Sequence, residues 1–506
     1  MDLYDFIESN EARDVKLLQL LLTAGTHGCS YSRLLESLQV TPSTLAATVA
    51  SLQQRLQAFD EAAQIRQCNE GKGRRLFLET QKPVLFDDLY RKLLRQSKEY
   101  QILATLLEKG KCRVDEFVAQ LYMSKAAVFR KIKQLNLGLK SHAIKIKNGT
   151  LVGSEVEIRY LYYQLVLNSY DSEELAALAA TFSARRYIKR FEARSKVKFS
   201  PHGEIKICVW LDIALKRHFT GDKKFTGIPE ETLHQLEVNP LYHMIRNWLF
   251  EIAKQYALAL DEFEVYNIYI FVCSMDIIDF SATDPRHVEK YLALALPTVQ
   301  QRNQYFMAAL RQICAGFETQ CSDASRIRMR YTLNQLHHRI QFFQGDFRLL
   351  AQPSDRVSIN DQQLQHLETL ASELTAIVAK DDPCCTAPAK RLFLTQHYVR
   401  LLMVTHVQIA KPIRIGLLLN DDWLATSAVM ARLKLALAGM CSVVLEIAEA
   451  PATYDLLITS FKMSSAAIAA KHHYRINEIE TTYDIDQIKS LLLSIIREQT
   501  AISSQF

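Results

Sequence analysis

The first 155 residues carry the same pattern twice, and this doubling constrains the fold more than any other feature of the sequence. Each half reads as three amphipathic helices followed by a short hairpin. In the first half, Val15, Leu18 and Leu22 mark one helix, and Tyr31, Leu34, Leu35 and Leu38 a second. Gln39-Val40-Thr41 makes a tight connection, with Thr41 as N-cap and Pro42 in the first turn, where proline is tolerated. Leu45, Val49, Leu52, Leu56 and Phe59 then recur at helical spacing. Residues 64–68, the turn Gly71-Lys72-Gly73 and residues 74–79 read as a hairpin wing. In the second half, Ile102, Leu103, Leu106 and Leu107 form one helix face, and Val114, Phe117, Val118 and Leu121 the next. Tyr122-Met123 makes the turn, Ser124 caps the third helix, and Val128, Ile132 and Leu135 give it a buried stripe. Asn148-Gly149, between the short runs 143–147 and 150–153, is a strong hairpin signal. Two helices joined by a tight turn and followed by a hairpin form a winged helix-turn-helix.

Charge separates the two halves. The chain has a net charge of +6, but residues 1–65 hold 4 Lys+Arg against 8 Asp+Glu, and residues 66–150 hold 19 against 8. From 117 to 150 there are seven basic residues and no acidic one. A surplus concentrated on one module points to a polyanionic partner, here double-stranded DNA. On the second module Lys125, Arg130, Lys131 and Lys133 are expected to face outward on the third helix beside Ser124, with Lys145 and Lys147 on the wing. A helix fits the major groove, and cations around it neutralise phosphates. On the first module the expected contacts are Ser43, Thr44, Thr48 and Arg55, with Gln53 on the same face, and Lys72, Arg74 and Arg75 on its wing. Hydroxyl groups can reach base edges or phosphates, but they bring little electrostatic attraction.

The rest of the chain is long, nearly neutral and helical in pattern. Glycine occurs 15 times and proline 12 times in 506 residues, too few for a β-sandwich that turns every ten residues or so. Breaks are expected near Ala282-Thr283-Asp284-Pro285 and at Asp381-Asp382-Pro383-Cys384-Cys385. From residue 413 onward, strands and helices alternate: strands over 413–419, 442–447 and 456–459, and helices over 426–438, around 464–471 and over 484–497. The fold class expected is therefore multidomain and mainly α, with sheet confined to the wings and an α/β tail. No run approaches the 18 or so apolar residues of a spanning helix, and the acidic start is unlike a secretory leader. The ten cysteines are scattered, with no Cys-x-x-Cys pair, so reduced thiols in a cytoplasmic protein are expected. No cofactor or metal motif is visible, nor any Gly-x-x-x-x-Gly-Lys phosphate loop.

At 151–160 the reading becomes specific. Gly153-Ser154-Glu155 closes the wing, and Ile158-Arg159-Tyr160 opens a helix. This junction resembles the step from DNA-binding to regulatory domain in the Mga/AtxA virulence regulators of Gram-positive bacteria. The stretch 207–217, followed by Gly221, is similar to a helix of their first regulatory domain. The resemblance implies five parts: winged helices over 1–85 and 88–155, phosphotransferase-system regulation domains (PRDs) over 156–284 and 285–408, and an enzyme IIB-like tail over 411–506. It further implies a homodimer formed through the C-terminal half, DNA read mainly by the second module, and no enzymatic activity.

In such proteins a histidine accepts a phosphoryl group from the phosphotransferase-system phosphocarrier protein. Here Trp210 and Phe271 stand where the resemblance puts the histidines of the first PRD. His202 and His218 lie nearby but off register, and His337, His338, His397 and His406 remain in the second region, with His397 and His406 first in order. The tail loop Leu419-Asn420-Asp421-Asp422-Trp423 lacks the phosphorylated cysteine of a working enzyme IIB, so an inactive packing domain is expected. Two other functions compete with this one. A sugar-operon activator would usually carry a further enzyme IIA domain, for which the chain is expected to have no room. A phosphotransfer signalling protein would need a competent cysteine or histidine site.

Overall fold

Both winged modules form as the pattern predicts. The computed structural model describes residues 6–70, 73–81, 86–181, 185–218, 230–255, 257, 259, 261–293, 296–313, 317–344, 361–380, 382–409, 413–419, 423–437, 443–449, 452–461, 468–476 and 481–501. The first module comprises α1 (Ser9–Ala24), β1 (Cys29–Ser30), α2 (Tyr31–Leu38), α3 (Pro42–Leu56), β2 (Gln64–Glu70) and β3 (Gly73–Glu79). The Thr41 hydroxyl accepts from the Thr44 amide and Pro42 sits in the first turn, so α3 starts where the capping residues put it. Strands pair antiparallel in the order β1-β3-β2. Leu22 is exposed, and Leu17 and Leu21 take the inner face of α1 with Val15 and Leu18.

A helix not anticipated from the sequence, α4 (Phe86–Gln96), follows. It buries Leu89, Tyr90, Leu93 and Leu94. The second module then comprises α5 (Lys98–Lys109), α6 (Val114–Leu121), α7 (Lys125–Leu139), β4 (Lys145–Lys147) and β5 (Thr150–Val152), leading into α8 (Glu155–Ser169). Helix α4 packs against α1, α5 and α8, which joins the two modules to each other and to the region that follows.

The helical region continues with α9 (Ser172–Thr181), α10 (Arg185–Ser195), α11 (Pro201–His218), α12 (Glu230–Glu237), α13 (Pro240–Gln255), α14 (Glu262–Ser274), α15 (Pro285–Leu292), α16 (Pro297–Ile313), α17 (Phe317–Gln320) and α18 (Asp323–Phe342). After these come α19 (Asp361–Val378), α20 (Pro388–Ile409), β6 (Ile413–Leu418), α21 (Trp423–Leu437), β7 (Val443–Ile447), β8 (Thr453–Thr459), β9 (Ala469–Arg475) and α22 (Thr482–Ala501). The chain divides into two compact units, one from 1–301 and 327–355, the other from 302–326 and 356–506.

In the first unit one apolar core runs without interruption from Leu18 of α1 through Leu103 of α5 and Leu161 of α8 to Trp210 of α11 and Phe271 of α14. Helices α8 and α14 are buried almost all round, which is why neither shows a clean amphipathic stripe.

In the second unit the tail is a four-stranded parallel sheet in the order β7-β6-β8-β9. Ile415, Leu417, Leu456 and Ile458 lie at its centre, fully buried. One expectation fails here. The helix expected around 464–471 is in part a strand, β9, paired in parallel with β8. Along β9 exposed and partly buried residues alternate with a strand's period of two, and pairing with β8 overrides the helical propensity of alanine and lysine. The tail-loop residues Asn420, Asp421 and Asp422 lie outside the described residues.

Candidate nucleic-acid interface

Helix α7 is fixed at its start by the turn from α6. Tyr122 takes a left-handed conformation (φ 54°), and the Ser124 hydroxyl accepts from the Ala127 amide at 3.3 Å. Val128, Leu135 and Leu139 turn inward. The opposite side presents Lys125, Ala126, Phe129, Arg130, Lys133, Gln134 and Leu137, all exposed. Their spacing, at i, i+1, i+4, i+5, i+8, i+9 and i+12, is one helix face. It carries three cations, no carboxylate, and two large apolar side chains, Phe129 at 53% and Leu137 at 71% exposure. Lys125 reaches Asp115 at 3.1 Å, in a pair exposed enough for solvent to compete with it.

The wing is locked to this helix. The Asn136 side chain accepts from the Ile146 amide at 2.6 Å and donates to the Ile146 carbonyl at 3.0 Å. The Cys112 amide donates to the Gly149 carbonyl at 2.9 Å. Gly149 (φ +74°) is tight enough that a Cβ there would lie 2.0 Å from the Cys112 carbonyl oxygen. Ile146 faces inward, and Lys145 and Lys147 face outward. The result is a rigid helix and wing with six exposed cations counting Lys140: Lys125, Arg130, Lys133, Lys140, Lys145 and Lys147.

Lys131 departs from the expected outward position. Its side chain is 14% exposed, and its Nζ lies 2.6 Å from Glu99 Oε1 and 2.6 Å from Glu8 Oε1. Burial alone would lower the Lys131 pKa, but the two carboxylates outweigh it and hold it above its ordinary value. The geometric reason is simple. Lys131 follows Val128 by three residues and precedes Leu135 by four, so it belongs to the inner stripe.

The two modules superpose in sequence with an offset of 83 residues. The left-handed turn residues Gln39 and Tyr122, the N-caps Thr41 and Ser124, and the wing clamps Gln53 and Asn136 all correspond. Thr48 is then the counterpart of Lys131, and it too is buried, bonding the Thr44 carbonyl at 2.8 Å rather than facing outward. Gln53 is likewise internal, donating to the Ala63 carbonyl and accepting from the Ile65 amide. Arg55 binds Asp14 at 2.9 Å and Glu11 at 3.3 Å. Arg75 donates to the carbonyls of His27 and Gly28. Ser43 and Arg74 are exposed, Thr44 is half-buried against the Thr41 hydroxyl, and Lys72 lies outside the described residues. On the first module the positions equivalent to Phe129, Arg130 and Lys133 are Ala46, Ala47 and Ala50, which carry no charge. The second module alone therefore presents a cationic helix face.

The histidines are dispersed. His202 is exposed at the start of α11, and His218 Nδ1 lies 3.7 Å from Glu264. His337 and His338 are fully buried, and the His338 Nδ1 donates to the Asn334 carbonyl. His397, partly buried, donates from Nδ1 to the Phe393 carbonyl at 2.7 Å. The His406 side chain lies outside the described residues. Trp210 and Phe271 stack with ring centroids 4.6 Å apart in the core. Neither ring has a basic nitrogen that could accept a phosphoryl group.

A rigid winged helix-turn-helix with a cationic outer helix face and a lysine-tipped wing defines a DNA-binding module. Residues 84–166 match a family model described as "Mga helix-turn-helix domain", a stretch that runs from the start of α4 into α8. The match supports a DNA-binding transcriptional regulator of the Mga type. A search of curated proteins found no match. Among the described residues no helix is long and apolar enough to cross a membrane.

Proposed function

We propose that the protein is a cytoplasmic transcription regulator, not an enzyme, that binds duplex DNA through α7 and the β4–β5 wing. The observation that carries this reading is the α7 face. Lys125, Arg130 and Lys133 stand exposed beside Lys145 and Lys147, and no carboxylate shares the helix surface with them. Phosphate neutralisation by these five side chains supplies the affinity, and α7 lies in the major groove. The first module, whose outer α3 face is neutral, adds orientation rather than charge.

We further infer that the protein works as a global or virulence-type regulator built on the Mga/AtxA plan. In this reading 156–284 and 285–408 are PRD-like, 411–506 is enzyme IIB-like, and a homodimer forms through the C-terminal half. The resemblance at 151–160 and the parallel α/β tail support it. Control by the phosphocarrier protein would act on the second region, through His397 or His406, because the first has Trp210 and Phe271 in the corresponding places.

The test is DNA binding by fluorescence anisotropy across a salt series, comparing the wild type with Arg130→Ala/Lys133→Ala. Lys131 is left in place because it supports the fold. The wild type should show a steep linear fall of log affinity with log salt. The double variant should bind at least tenfold more weakly, with a slope shallower by roughly 0.9 per lost phosphate contact. Unchanged affinity in a variant that keeps its circular dichroism would reject the assignment.

A further inference from the structure

The α7 face holds more than its cations. Ala126 and Phe129 lie on its outer side, three residues apart, with Arg130 and Lys133 beside them. Phe129 is 53% exposed, a large apolar surface in water at the first turns of the helix that follows the helix-turn-helix turn. An exposed phenyl ring ringed by cations fits few partners. An acidic protein surface would satisfy the charges but not the ring. The major groove of duplex DNA offers both, since phosphates line its edges and the C5-methyl of thymine projects from its floor. The N-terminal residues of a recognition helix are the ones that reach base edges. Three residues along a helix rise about 4.5 Å, close to one base-pair step, so Ala126 and Phe129 face neighbouring base pairs.

The internal comparison isolates the feature. On the first module, which shares the 83-residue offset, the positions of Ala126, Phe129 and Arg130 are Ser43, Ala46 and Ala47. Packing needs only that these positions point outward. The ring and the charges were therefore not required by the fold, and they occur together on the same module.

Building on the DNA-binding reading above, we propose that α7 reads thymine methyl groups, with Phe129 packing on one C5-methyl and Ala126 on its neighbour. The preferred site accordingly contains two adjacent thymines on the strands that face the helix. Lys125, Arg130, Lys133 and the wing lysines hold the phosphates on either side and set register without reading sequence.

The experiment uses the full-length protein and a random-sequence DNA duplex pool. Duplexes that bind best are sequenced, resynthesised with thymine and again with deoxyuridine, which lacks only the C5-methyl, and titrated against wild type and Phe129→Ala. The wild type should lose about fourfold in affinity for each contacted methyl removed, the size expected for one buried carbon of apolar surface. Phe129→Ala should bind the thymine duplex more weakly and lose the discrimination at one of the two positions, while keeping the salt dependence. Equal binding of thymine and deoxyuridine duplexes by the wild type, with a normal salt slope, overturns the methyl reading and leaves the DNA-binding reading standing. Full discrimination in Phe129→Ala overturns the assignment to this ring. Failure to retain any duplex at low salt would remove the DNA-binding reading itself.

Discussion

Lys131 offers the sharpest test of the geometry, because its sequence position suggests a DNA contact and its surroundings make it a structural cation. Its Nζ is 2.6 Å from a Glu99 oxygen, and the Glu99 side chain has no solvent exposure. Lys131→Ala would leave that carboxylate buried without its cation, at a cost of about 3–5 kcal/mol. Glu8, half-exposed at 51%, adds no more than about 1 kcal/mol. Against a typical total of about 5–15 kcal/mol, the loss should be large enough to see directly. The compensating variant is Lys131→Met with Glu99→Leu, which removes both charges and should restore most of the stability. Guanidinium unfolding of the full chain, followed by tryptophan fluorescence, reads this out, since Trp210 and Trp248 are both buried in the first unit. The Lys131 contribution also has a pH signature. Its folded pKa is raised, so its stabilisation is complete below about pH 10 and fades only as pH rises through that folded value. The reasoning is refuted if Lys131→Ala is as stable as wild type within about 0.5 kcal/mol and instead loses DNA affinity as Arg130→Ala does. An alanine triple at 130, 131 and 133 would destabilise the module while also removing phosphate contacts, and so could not distinguish the two roles.

Three further outcomes follow from other parts of the molecule. Gly149→Ala should cost about 1–3 kcal/mol and loosen the wing, because the new Cβ meets the Cys112 carbonyl oxygen at 2.0 Å; amide exchange at Cys112 and Ile146 would report it, and unchanged protection would contradict it. Arg159 is wholly buried between Glu155 and Glu264, so Arg159→Met should destabilise the first unit by about 3–5 kcal/mol in thermal unfolding, and a shift within error would count against the network. In the second unit, burial would raise the Asp382 carboxyl pKa, but Arg302 and the Cys384 amide more than offset this and hold it below its ordinary value. A depressed folded pKa means stability that is complete above about pH 4 and is lost as pH falls through the folded value; Asp382→Asn should flatten that acid dependence, and an unaltered acid limb would exclude the pair as its source.

Local signals in the sequence were read correctly where they act locally. Thr41 and Ser124 cap their helices, Asn148-Gly149 turns the second wing, and the alternating Lys145-Ile146-Lys147 exposes both lysines. Misplaced residues were those whose position depends on which of two close helical stripes is the inner one. Choosing Ile132 over Lys131 as the partner of Val128 sent Lys131 outward, and the same choice of Val49 over Thr48 sent Thr48 outward. A long lysine can lie along a core edge with its charge delivered to a partner, so charge alone does not settle the side. Arg55 and Arg75 were misplaced for a different reason. Their partners Asp14, His27 and Gly28 are more than 40 residues away in sequence, and no spacing rule foretells them. Phe129 was not singled out from the sequence, although the helical spacing would have placed it. Once Val128 and Leu135 face inward, residues 126, 129, 130 and 133 must face out, and an aromatic there is unexplained by packing.

The junction after the wing joins DNA-binding and helical parts through charge as well as through the shared core. Glu155 on α8 accepts from Arg159 on the same helix and from Arg217 on α11, and Arg159 in turn holds Glu264 on α14 in a two-point pair. On the other side of α8, Glu157 lies 3.4 Å from His142 in the short turn after α7; on the same side as Glu155 and Arg159, the Tyr162 hydroxyl donates to the Leu103 carbonyl of α5. Lys216 of α11 reaches Glu108 of α5 directly. Glu155, Arg159, Arg217 and Glu264 are buried, so separating α8 from α11 or α14 would leave a carboxylate or guanidinium unpaired, at a cost of several kcal/mol, whereas the Lys216–Glu108 pair is partly exposed and adds little. Within the first unit this charge cluster, together with the shared apolar core, ties α11 and α14 to α8 and to the helices that carry α7 and the wing, with Glu155 and Arg159 at its centre.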